Sequence, residues 1–88
     1  MLFRHSPPTG VYELITREGC HLCDEMAAVL DDVLPRYGLS YSLRDVDIEP
    51  ELRIRYTDLV PVLLRDGVPV AKLRVDRWTL VRIVEGRR

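Results

Sequence analysis

Two cysteines stand three positions apart in the run Arg17-Glu18-Gly19-Cys20-His21-Leu22-Cys23. Thiols at that spacing can close on each other as a disulfide or stay apart, and the thiolate is the nucleophile of thiol–disulfide exchange. An apolar, β-branched stretch from Val11 to Thr16 precedes the pair and a helix-periodic stretch follows it. The cysteines therefore fall where a strand turns into a helix, and the open N–H groups of a helix N-terminus favour a negative charge. The periodicity separates the two sulfurs. Cys23 shares an apolar face with Met26, Ala27, Leu30 and Leu34, whereas Cys20 precedes that face at the exposed tip. Cys20 is thus the expected nucleophile, with its pKa lowered from ~8.5, and Cys23 the thiol that resolves the mixed disulfide. Arg17 adds positive charge in the same direction, and Asp24 and Glu25 oppose it. His21 is open between an exposed first-turn residue and a partner of the thiolate.

The same Cys-x-x-Cys spacing occurs in zinc sites, but a structural zinc takes four ligands. This chain offers two cysteines with His5 and His21, and His21 lies inside the pair. No metal site is expected. A bridge across two residues also closes too short a loop to stabilise a fold much, so a purely structural disulfide is disfavoured.

The elements that position the pair can be read in order. Residues 1–10 contain Pro7-Pro8 and Gly10 and form a tail; 11–86 form one domain. A strand from Val11 to Thr16 leads into the helix, which Pro35 ends. Tyr41 to Ile48 alternates loosely, as an edge strand does. Strand, helix and strand within this length make a βαβ unit with parallel strands. Pro50 suits the first turn of a short helix to about Tyr56. Asp66-Gly67 between two apolar runs marks a hairpin, and Pro69 places its second strand at an edge. Asp76 can cap a last helix from Arg77 to Glu85, ended by Gly86. The order is βαβα-ββα.

The chain has 88 residues, 47% hydrophobic and 31% charged, with a net charge of -1. That is one globular domain, and the charge balance argues against nucleic acid as a partner. No apolar run approaches the ~20 residues of a bilayer span, and residues 1–10 lack the apolar core of a signal peptide. A cytoplasmic location without membrane association is expected, where a cysteine pair is catalytic or metal-binding more often than structural.

The run Thr16 to Asp24 resembles the glutaredoxin active site, and most closely that of small glutaredoxin-like bacterial proteins with Cys-His-Leu-Cys followed by acidic residues. Val60-Pro61-Val62 is similar to the Val-Pro step of the thioredoxin superfamily, and Asp66-Gly67 to the glutaredoxin hairpin turn. The resemblance spans 11 to about 86. It implies an α/β thioredoxin-like fold, a four-stranded mixed sheet with helices on both faces. It further implies a cis Val60–Pro61 bond beside the cysteines, and a Val60 backbone that pairs with an extended substrate. Arg17 keeps the charge of the family's lysine, His21 and Leu22 replace its Pro-Tyr, and Asp76 matches its aspartate at the end of the last strand. The family's Gly-Gly pair is absent. Ala71-Lys72-Leu73-Arg74-Val75 stands there, which puts side chains where a glutathione-binding backbone must come close.

The expected activity is thiol–disulfide exchange by Cys20 and Cys23, with Arg17, His21, Val60, Pro61 and Asp76 around the substrate. The substrates expected are protein disulfides or glutathione mixed disulfides. No bound cofactor is expected; glutathione is a candidate co-substrate, and a separate thiol reductant or reductase regenerates the dithiol. The alternative is a non-catalytic thioredoxin-fold binding module with a regulatory or vestigial cysteine pair, presenting the Val60–Pro61 groove and the helix that carries Trp78.

Overall fold

Strand β1 (Tyr12–Thr16) opens the fold in a computed structural model that describes residues 8–86. Tyr12 and Leu14 enter one apolar core and Ile15 another, the alternation a central strand requires. Residues 8–10 lie in neither helix nor strand. The rest of the expected tail, with His5, lies outside the described residues, as do Arg87 and Arg88.

Helix α1 (His21–Val33) buries Cys23, Met26, Leu30 and Val33, the three-and-four spacing its sequence carries. Pro35 does not stop the chain at once but sits in a 3-10 turn, Leu34–Tyr37, where its missing N–H costs nothing. Strand β2 (Tyr41–Asp45) pairs parallel with β1, Leu14 beside Leu43. It is shorter than the expected reach to Ile48. The Asp45 carboxylate accepts the amide of Asp47 at 2.8 Å and its carbonyl accepts that of Ile48 at 3.1 Å, which folds the chain out of the sheet.

Helix α2 (Pro50–Tyr56) follows, with its proline in the first turn. Strands β3 (Val62–Arg65) and β4 (Val68–Lys72) form the hairpin. Its turn residues Asp66 and Gly67 have φ of 52° and 80°, the left-handed pair that a two-residue hairpin turn demands. Asp66 also fastens the hairpin to the start of β1, exchanging 2.8 Å hydrogen bonds with the Val11 backbone through its amide and its Oδ1. Helix α3 (Arg77–Val84) closes the order.

The sheet runs β2-β1-β3-β4, parallel between β1 and β2 and antiparallel elsewhere. Both strands read as edges are edges, and an irregularity at Leu63/Leu64 accommodates Pro69 opposite Leu64. One face packs Leu14 and Leu63 against Met26 and Leu30 of α1 and Leu80 of α3. The other packs Ile15 and Val62 against Leu52 of α2, with Val46 and Cys23. The four-stranded mixed sheet thus has helices on both faces. No helix of the described residues is long and apolar enough to cross a membrane.

Candidate active site

The two cysteines are placed by the junction of β1 and α1. Gly19, at φ 74°, turns the chain so that Cys20 takes extended backbone and caps the helix. The Cys23 amide donates to Cys20 Sγ at 3.1 Å, so the first sulfur accepts one of the N–H groups that a helix start leaves open. The cysteines are joined as a disulfide, with Cα atoms 5.2 Å apart. Cys23 is 2% exposed and belongs to the core of Ile15, Val46, Leu52 and Val62. Cys20 is half-buried and packs against that core from its edge. The outer sulfur is thus less open than a free tip would be.

Val60 is part of the same core, so the fold brings Cys20, Cys23 and Val60 together across a long stretch of sequence. The Val60–Pro61 bond is cis, and Pro61 is fully buried. Its carbonyl accepts the amide of Leu73 at 2.7 Å, which ties this step to the end of β4. Leu73 has φ 67° at the centre of a three-residue turn closed by the Arg74 amide on the Lys72 carbonyl at 2.7 Å. Left-handed backbone at a residue with a side chain costs about 1–3 kcal/mol, and such strain concentrates at functional sites.

Arg17 is bound on every side. Its Nε and one terminal nitrogen meet the two Asp47 oxygens at 2.8 and 3.0 Å. Its terminal nitrogens also reach the Thr57 carbonyl at 2.9 Å and the Thr57 hydroxyl at 2.7 Å. The hydrogen bond from Arg17 holds the Asp47 carboxyl below the usual carboxylate range, and the guanidinium is held above its own. The charge expected beside the sulfur is therefore partnered by Asp47. Its visible work is to join the loop before Cys20 to the loops on either side of α2. Asp47 and Thr57 escaped the sequence reading because no spacing or periodicity links them to Arg17.

His21 projects into solvent, its side chain 86% exposed, with Nε2 2.9 Å from Glu25 Oε2 one helical turn on. Asp76 caps α3, its Oδ1 accepting the Thr79 amide at 2.7 Å, and this bond lowers its pKa. Asp76 also lines a groove of about 400 Å³ between α1 and the segment that joins β4 to α3, together with Leu22, Glu25 and Leu73. Among the described residues no three His, Cys, Asp or Glu side chains are grouped as a metal would require.

A sheet ordered β2-β1-β3-β4, with a cysteine pair opening α1 and Val60, the residue before a cis proline, in the same core as that pair, defines a thioredoxin-like α/β protein. The fold aligns with the crystal structure of Fasciola hepatica thioredoxin at TM-score 0.61 and 15% identity, over 92% of this chain and 83% of that one. Within that class the chain belongs to the glutaredoxin-like domain family (DUF836), whose model matches residues 12–85. It is similar to uncharacterized protein Rv0508 of Mycobacterium tuberculosis, 34% identical over 73 residues, covering 77% of this chain and 75% of that protein. The solution structure of protein Ne2328 from Nitrosomonas europaea is similar at TM-score 0.76 and 26% identity, over 96% of this chain and 99% of that one.

Proposed function

We propose that this protein is a thiol–disulfide oxidoreductase that uses the Cys20/Cys23 dithiol to reduce protein disulfides or glutathione mixed disulfides. The observation that carries the reading is the asymmetry of the pair. One sulfur caps a helix at the rim of the core, and the other lies buried behind it within bonding reach. In the reduced protein the Cys20 thiolate attacks one sulfur of the substrate, and the displaced thiolate takes up a proton. The Cys23 thiol then gives up its proton and attacks Cys20 Sγ, which releases the second substrate thiol. Two electrons pass to the substrate, and the protein ends with the Cys20–Cys23 bond. An external thiol reductant returns it to the dithiol. The backbone at Val60, before the proline, offers pairing to an extended substrate chain. A cytoplasmic setting agrees with this direction of electron flow.

Substitution tests the assignment. Cys20→Ser abolishes reduction of a model disulfide, and Cys23→Ser accumulates a mixed disulfide detectable by mass. Equal tolerance of both changes removes the reading.

A second reading, a non-catalytic binding module, draws on the neutralisation of Arg17 by Asp47. It requires an ordinary Cys20 pKa near ~8.5 in the reduced protein, whereas the oxidoreductase requires a lower one. The pH dependence of the alkylation rate separates the two.

A further inference from the structure

The groove between α1 and the β4–α3 segment is tied to the cysteine site at two points. Leu22, on one wall, lies between Cys20 and Cys23 in the chain, and Leu73, on the other, donates its amide to the Pro61 carbonyl. Met26, Val29 and Val75 add apolar surface, and polar groups supply a comparable share: Asp76, Thr79, and Arg74 with Glu25, an ion pair at 3.6 Å between the two walls. Leu73 holds a left-handed conformation that a residue without a side chain adopts freely. Here that position sets a branched aliphatic side chain into the groove wall, 40% exposed. Both amides of its turn already donate within the protein, Leu73 to Pro61 and Arg74 to Lys72, each at 2.7 Å. A ligand carboxylate therefore finds neither of these two N–H groups open, and at this turn it meets the Leu73 side chain instead.

Glutathione flanks its cysteine with a γ-glutamyl group and a glycine: two carboxylates and no apolar side chain. An extended polypeptide differs. Its neighbouring side chains stand alternately to either side of the backbone, so one beside the reacting cysteine can enter a groove that begins at Leu22. We propose that this groove receives the apolar side chain next to a disulfide-bonded cysteine of an extended polypeptide, and that Leu73 sets a preference for such protein disulfides over glutathione mixed disulfides. The proposal rests on the disulfide-exchange reading of Cys20 and Cys23. Each turnover transfers two electrons and two protons from the dithiol to the substrate disulfide, whichever substrate is used.

The test mixes the reduced full chain, in single turnover and without other reductant, with three disulfides. Two are disulfide-linked peptides that differ only in Leu or the similarly sized, uncharged Asn beside the cysteine; the third is the mixed disulfide of glutathione and cysteine. The Leu peptide is expected to react at least about 10-fold faster than the other two, the range one buried aliphatic contact gives. Leu73→Gly, which also relieves the left-handed backbone, brings the rates to within about twofold, and Leu73→Ala, which keeps a Cβ, lowers the ratio part-way. Leu43→Ala, on the far edge strand β2, leaves the ratio unchanged. Equal rates in the unaltered protein, or a preference that both Leu73 variants retain, overturn the groove assignment and leave the exchange reading standing. A reduced protein that reacts with none of the three overturns both.

Discussion

Arg17 and Asp47 meet in a paired hydrogen bond, Nε to Oδ2 at 2.8 Å and a terminal nitrogen to Oδ1 at 3.0 Å, with Thr57 taking the rest of the guanidinium. A planar fork makes this grip, and an ammonium cannot reproduce it. Arg17→Lys is therefore expected to lower the melting temperature. It should move the alkylation pKa of Cys20 by less than about half a unit, since the charge is retained and already partnered. A full-unit rise in that pKa with unchanged melting would show that the guanidinium acts on the sulfur instead.

The same pair gives a pH dependence. Asp47 titrates below its ordinary value in the folded protein, through its hydrogen bond from Arg17. A depressed carboxyl contributes stability that is fully present above its unfolded pKa of about 3.9 and is lost as pH falls through the folded value. Asp47→Asn should accordingly be less stable than the unaltered chain at neutral pH, and the gap should close below about pH 4. Denaturant unfolding from pH 2 to 7 measures it; a gap independent of pH would refute the linkage.

Asp76 has two claims on it, helix cap and substrate contact. The cap predicts that Asp76→Asn melts near the unaltered protein while Asp76→Ala melts several degrees lower, since asparagine accepts the Thr79 amide and alanine does not. A substrate contact that needs the charge predicts the reverse pattern in a disulfide-reduction assay, with Asn as impaired as Ala. Running both measurements on both variants separates the roles.

Leu63 tests the core beneath the site. It is fully buried on β3 and packs in the core shared with Leu14, Leu30 and Leu80. Leu63→Ala should cost about 2–5 kcal/mol, the range for emptying a buried aliphatic site. A loss under about 1 kcal/mol would mean that the sheet and α1 do not share one packed interior.

Trp78 tests a surface. It is 73% exposed on α3, so Trp78→Ala should change stability by no more than about 0.5 kcal/mol. A larger loss in denaturant unfolding would reveal packing that its exposure does not show.

By itself the sequence determined the features that local rules govern. The three-and-four spacing from Cys23 to Leu30 dictated which side of α1 is buried. Asp66-Gly67 dictated the hairpin, because few residues tolerate two left-handed positions in a row. Asp76 announced the cap of α3, and Pro69 the edge position of β4. The cysteine pair could be placed at a helix start for the same reason: every signal involved lies within a turn or two of chain. Tertiary structure decided the rest. Only folding joined Arg17 to Asp47 and Thr57, gathered Val60 into the core with Cys23, drew the Leu73 amide onto Pro61, and shortened β2 at Asp45. Such contacts carry no periodicity, since they depend on which loops the sheet order brings side by side, and a charge or an amide has no local mark that names a distant partner.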